Sequence, residues 1–186
     1  MGTSIILKAV FLTSLFALNT AHAQDLPPPA YQLAAQEAGI PSIVLYAVAL
    51  QESGTMVNGK LRPWPWTLNV GGQGRFFSTR EAACKDLTYA LKNTSSKRID
   101  VGLGQINVGY HGHRVNTPCE LLNPYLNLKI ASTILLEQHK SGQDWLITMG
   151  RYHSPANGTA AARYRSSVQR HYNRLLIHFT TAETHP

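Results

Sequence analysis

Val44-Leu45-Tyr46-Ala47-Val48-Ala49-Leu50-Gln51-Glu52-Ser53-Gly54 is the stretch from which the rest of the chain is read. Every residue before Gln51 is apolar or aromatic, so the helix that this run predicts is covered on most sides. Pro41 suits the first helical turn, where its missing N–H costs nothing. Gly54 suits the residue just past the helix, where φ is often positive. Leu45, Val48 and Glu52 follow the i, i+3, i+7 spacing, which puts Glu52 on a face with buried side chains. A carboxylate is disfavoured there twice. The helix C-terminus carries partial negative charge, and an apolar surround raises the pKa. A carboxyl group that stays protonated near neutral pH can serve as a general acid. The competing reading is a solvated helix-end glutamate, the usual state of that residue. This stretch alone leaves both open.

The chain has 186 residues, enough for one domain with a real core. Its beginning reads as a targeting segment. Lys8 supplies a positive n-region, Ala9 to Leu18 a short apolar run, and Ala21-His22-Ala23 a small-x-small cleavage site. Residues 1–23 are therefore expected to be a signal peptide, with Gln24 the mature start and the periplasm the destination. The apolar run is too short to span a bilayer, so no stable membrane insertion is expected after cleavage. Loss of Lys8, with no acid lost, lowers the net charge from +7 to +6. A basic domain favours anionic polymers such as cell wall, acidic glycans, membrane surface or nucleic acid, although the same charge also serves solubility. The lysines and arginines are scattered, so no nucleic-acid face is expected.

Cys84 and Cys119 are the two cysteines. In an exported chain they point to one disulfide, closing a loop of about 35 residues and contributing roughly 3–4 kcal/mol. Two buried thiols or a metal site are the alternatives. No CxxC pair is present, and the histidines show no clear ligand spacing beyond His111 and His113, so neither metal nor cofactor is expected.

A helix is expected over Tyr31–Ala38, ended by Gly39, and the Pro41–Ser53 helix follows. Trp64, Trp66, Thr67, Leu68 and Val70 read as a strand, Gly71 to Gly74 as a turn, and Arg75-Phe76-Phe77 as the return. Ser78 or Thr79 caps a helix to about Leu91. Arg98 to Val101 reads as a short strand, and Gly109 to Pro118 as irregular. Pro124 to His139 reads as a helix with Gly142 as its stop. Helices near Asp144–Tyr152 and Ala160–Phe179 complete one domain over residues 24–186. The fold class expected is α+β, predominantly helical, with a small antiparallel element.

Gly102-Leu103-Gly104-Gln105-Ile106-Asn107 is the second informative stretch. Two glycines two apart allow close backbone approach to a ligand. Gln105 and Asn107 can both donate and accept hydrogen bonds, as sugar hydroxyls and N-acetyl groups require. A tight turn with polar decoration is the plainer reading. No Lys-Ser/Thr follows, so this is not a phosphate loop.

Glu52-Ser53 followed by this stretch resembles the soluble lytic transglycosylase family of peptidoglycan-cleaving enzymes. Asn127-Leu128 and Leu135 match that family's third motif, with Ala131 where glycine is usual and Ile134 where tyrosine is usual. Arg151-Tyr152-His153-Ser154-Pro155 aligns with its Ala-Tyr-Asn-Ala-Gly segment and keeps the tyrosine. Tyr164 and Val168 resemble its final Tyr-x-x-x-Val. The likeness runs from about residue 30 to residue 175. The main departure is the long, Trp-rich interval between Glu52 and Gly102.

The resemblance implies a lysozyme-like fold and one catalytic acid, Glu52. It also implies substrate contacts from Ser53, Gly104, Gln105, Asn107 and Tyr152. Glu52 would protonate the bond between N-acetylmuramic acid and N-acetylglucosamine, then accept the C6 hydroxyl proton as a 1,6-anhydro end forms. The partners implied are peptidoglycan strands and, by similarity to small exported members, proteins of conjugation, type IV secretion or pilus machines. A lysozyme-type hydrolase using Asp100 to place a water is the first alternative. A non-catalytic wall-binding module is the second. Asp100 is expected to be structural, Tyr152 to lie in a turn, and its phenol to sit beside Glu52.

Overall fold

Ile43 to Leu50 are all buried in the computed structural model, which describes residues 26–183. The expected signal peptide and the start at Gln24 lie outside the described residues. A run with no exposed face needs neighbours on every side, and the chain order follows from supplying them. Helix α1 (Pro29–Ala38) ends at Gly39, whose φ of 71° makes the left-handed cap. The chain then bends by 119° into α2 (Ser42–Ser53). Pro41 sits one residue before α2 rather than in its first turn. The Tyr31 and Tyr46 rings meet edge to face at 4.8 Å and join the two helices. The later helices α5 (Pro124–Gln138), α6 (Trp145–His153) and α7 (Thr159–Glu183) pack around α2.

Gly54 corrects the sequence reading. Its φ is −62° and ψ 127°, an extended conformation open to any residue. What the position needs is space: a Cβ there would lie 2.2 Å from the Leu50 carbonyl oxygen. The chain thus leaves α2 straight into strand β1 (Gly54–Val57), which pairs antiparallel with β2 (Lys60–Pro63). This hairpin escaped the sequence reading. Its signal was Asn58-Gly59, both at positive φ (50° and 74°), the turn chemistry that matches strand twist.

A second antiparallel sheet has the order β4-β3-β5-β6. It contains β3 (Thr67–Val70), β4 (Gln73–Phe76), β5 (Ile99–Val101) and β6 (Ile106–Asn107). Trp64 and Trp66 precede β3 rather than belonging to it. Helix α3 (Arg80–Asn93) is capped by Thr79, whose hydroxyl accepts from the Ala82 N–H. The Cys84–Cys119 disulfide is present and ties α3 to the 3-10 turn at Pro118–Leu122. A short helix α4 (Val108–His111) occupies part of the stretch expected to be irregular.

Two further boundaries move. Helix α5 stops at Gln138, and Gly142 takes its positive φ of 73° inside the following loop. Arg151, Tyr152 and His153 form the last turn of α6, not a free turn. Pro155 restricts only the residue before it, so the helix runs on until Ser154. The fold class is α+β and predominantly helical, as expected. Among the described residues no single helix is long and apolar enough to cross a membrane.

One buried side chain locks the second sheet to the helices. Asn127 on α5 donates from Nδ2 to Val101 O (2.9 Å) and Leu121 O (2.7 Å), and its Oδ1 accepts from Gly104 N–H (2.8 Å). Gly102, at φ 80°, has no room for a Cβ, which would fall 2.3 Å from Asn127 Nδ2. The Asn127→Ala variant strands three buried backbone groups. It should lose at least about 3 kcal/mol in denaturant unfolding, since each orphaned group costs about 1–3 kcal/mol. An unchanged unfolding midpoint would remove Asn127 from this role.

Candidate active site

The C-terminal end of α2 delivers Glu52 to the place where α6, α7 and the 102–107 loop converge. Tyr164 of α7 donates its phenol proton to Glu52 Oε1 at 2.6 Å. Three residues further along α7, on the same helix face, Ser167 donates to Gln51 Oε1 at 2.7 Å. Two hydrogen bonds therefore register α7 against the end of α2. The Tyr164 ring stacks on His153 of α6, with centroids 4.7 Å apart and planes 7° from parallel.

Burial pushes the Glu52 carboxyl up to about 7; the Tyr164 bond pulls the other way and the Asp100 charge adds to the rise. Bond and burial thus oppose each other, and burial wins. Burial, followed by the Glu52 charge, holds the Tyr164 and Tyr152 phenols well above their ordinary value. Both phenols therefore remain donors across the working pH range. Burial also raises Asp100, against a bond from Asn107 and the influence of His153. The site thus has one carboxyl poised near neutrality and a second carboxyl close enough to be felt.

The residues singled out from sequence separate into three groups. Glu52 is the poised acid. Tyr152 stands near enough for the Glu52 charge to act on it, but its phenol donates to Gly104 O at 2.6 Å rather than to Glu52. The tyrosine bonded to Glu52 is Tyr164, which sequence reasoning matched to a motif without giving it a role. The remaining residues are occupied by the protein itself. Ser53 is buried, and its hydroxyl donates to Leu103 O at 2.8 Å, with Ala49 O next at 3.1 Å. It braces the loop against α2.

Gly104 is closed in as well. A Cβ there would lie 2.8 Å from the Ala131 Cβ and 2.9 Å from the Tyr152 phenol oxygen. Close approach of backbone is needed, but to side chains of the protein. The Gln105 amide donates to Gly102 O (2.8 Å) and Thr67 O (3.3 Å), in a residue held at φ 46°. The Asn107 amide is committed on both sides. Its Nδ2 donates to Asp100 Oδ1 (2.8 Å) and Lys97 O (3.0 Å), and its Oδ1 caps α4 by accepting from Gly109 and Tyr110 N–H. Asn107 therefore positions Asp100, which faces the site.

Among the described residues no group of three or more His, Cys, Asp or Glu side chains comes together as a metal site would require. Comparison of the chain with family models, curated proteins and solved structures finds no match.

The raised carboxyl has a measurable cost. The folded pKa of about 7 lies above the ordinary 4.5, so the folded state holds the proton more tightly than the unfolded state. Stability from this site is fully present below the unfolded value and is lost as pH rises through the folded one. The Glu52→Gln variant is fixed neutral and has no such slope. Between pH 4.5 and about 8 the wild type should lose on the order of 2–3 kcal/mol relative to the variant. Unfolding titrations at both pH values check this, and parallel curves would contradict it.

Proposed function

We propose that this chain is a peptidoglycan lytic transglycosylase, exported to the periplasm, with Glu52 as its acid and base. The observation that carries the proposal is a carboxyl at the end of a buried helix, held by a tyrosine at 2.6 Å and raised to about 7. Such a group can give a proton and then take one back at the same pH. Tyr164 engages Oε1, so the proton travels from Oε2 to the glycosidic oxygen. The bond from that oxygen to C1 of N-acetylmuramic acid breaks with the electron pair leaving on oxygen. The muramoyl C6 hydroxyl oxygen attacks C1, and its proton returns to Glu52. Atoms balance without water, and the product ends in a 1,6-anhydro ring. The basic charge suits an anionic wall. Similarity to small exported members extends the proposal to a role beside a secretion, conjugation or pilus machine.

One observation favours a second reading. The charge of Asp100 reaches Glu52, and hydrolysing glycosidases use two carboxyl groups. A lysozyme-type hydrolase would use Asp100 to place a water and would leave a reducing end.

Digestion of purified sacculi followed by mass spectrometry of the released muropeptides separates the two. Anhydromuramoyl ends are expected, and reducing ends alone would replace the proposal with the hydrolase. Glu52→Gln keeps the shape but removes the proton. Its turnover should fall at least about 10²- to 10⁴-fold, with wall binding retained. Binding with no turnover in the wild type itself would leave only a wall-binding module.

Tyr164→Phe gives a second test. The phenol bond lowers the pKa of Glu52, so its loss should move the alkaline limb of kcat/KM upward from about 7 while reducing the rate. A limb that stays in place, at full rate, would show that Tyr164 only packs.

A further inference from the structure

The interval between Glu52 and Gly102 builds a feature that cleavage at Glu52 does not use. Between the two hairpins lies a groove of about 410 Å³, lined by Thr55, Met56, Asn58, Trp64, Phe76 and Ser78 among others. Phe76 and Met56 are 53% and 65% exposed, although both are large and apolar. Trp64 is fixed. Its indole Nε1–H donates to Phe77 O at 2.6 Å and its backbone N–H donates to Ser53 O at 2.9 Å. The second bond ties the groove wall to the residue after Glu52. Thr55 is three residues from Glu52, so their Cα atoms lie within about 11 Å.

We propose that this groove binds a pyranose ring of a β-1,4-linked N-acetylated glycan, further along the strand that Glu52 cleaves. The inference rests on reading Glu52 as a glycan-cleaving acid. A pyranose carries an apolar C–H face and a rim of hydroxyl and amide groups. Trp64, Phe76 and Phe77 in the lining supply apolar surface for the first, and Thr55, Asn58 and Ser78 supply polar groups for the second. A protein partner would require about 800 Å² of contact on this side, and a groove of this size with a polar rim fits one or two sugar rings better. Trp64, held by two hydrogen bonds, also binds at low entropic cost, because it is already ordered.

The test uses the full exported chain and β-1,4-N-acetylglucosamine oligomers as probes, with affinity read from tryptophan fluorescence and calorimetry. The Phe76→Ala/Met56→Ala double variant removes exposed side chains and should melt with the wild type. It is expected to bind the hexasaccharide about tenfold more weakly, the loss expected when an aromatic contact is truncated. Equal hexasaccharide affinity in variant and wild type overturns the proposal, as does a wild type that binds free stem peptide here and no oligosaccharide. Should the double variant lose stability, Phe76→Tyr, which keeps a ring, must restore affinity if the groove binds sugar. All measurements are repeated in Glu52→Gln. Hexasaccharide binding that depends on Phe76, with no anhydromuramoyl or reducing ends released from sacculi by the wild type, would sink the enzyme reading and keep the groove. Cleavage with no dependence on Phe76 would do the reverse.

Discussion

A carboxyl group at the end of a helix buried from Ile43 to Leu50 must shed either its charge or its isolation. Glu52 does some of each. Burial raises its pKa to about 7, and the phenol of Tyr164 supplies a short bond to whatever charge forms. The tyrosine needs α7 to lie along α2, and Ser167 to Gln51 fixes that register a second time. The core of α2 and the chemistry at its end are therefore one arrangement. A looser helix pair would admit water to Glu52 and return it to an ordinary carboxylate.

The loop from Gly102 to Asn107 supports this arrangement through backbone groups. Asn127 holds Gly104 N–H, Tyr152 holds Gly104 O, and Ser53 holds Leu103 O. Three helices thus grip two consecutive residues of one loop. The polar side chains of the loop serve the same end. Gln105 closes the turn, and Asn107 carries Asp100 towards the site. Satisfying buried polar groups is obligatory in such a place, so the side chains that look most available for sugar are the ones already engaged.

That explains which parts of the site were legible. The apolar run before Glu52 announced its own burial, because that follows from local composition; it left open whether the carboxyl was raised or solvated, and the burial at the site raises it. The disulfide followed from cysteine count and is present between Cys84 and Cys119. The distant partners of Ser53 and Gln105, Leu103 O and Thr67 O, were not legible because only the tertiary fold brings them near; the Asn107 bond to Asp100 needed the pairing of β5 with β6. Tyr152 and Tyr164 illustrate the limit. Both approach Glu52, yet one bonds a glycine carbonyl and the other the carboxyl. The choice is made by how α6 and α7 rotate against each other, which spacing along the chain does not encode. Gly54 was legible as a special position but for the wrong reason. Its φ is ordinary, and the constraint is the oxygen of Leu50.

The sharp exit at Gly54 has a consequence for the long interval that follows. Helix ends leave carbonyl groups without partners inside the helix, and at a buried end water is a poor substitute. Ser53 O is one such group, and Trp64 N–H satisfies it at 2.9 Å. Trp64 is in turn held by Phe77 O, and Phe77 N–H by Trp66 O. The Trp-rich interval therefore finishes the helix that carries Glu52. It is part of how the acid is held still, and its aromatic walls stand where they do because that carbonyl had to be met.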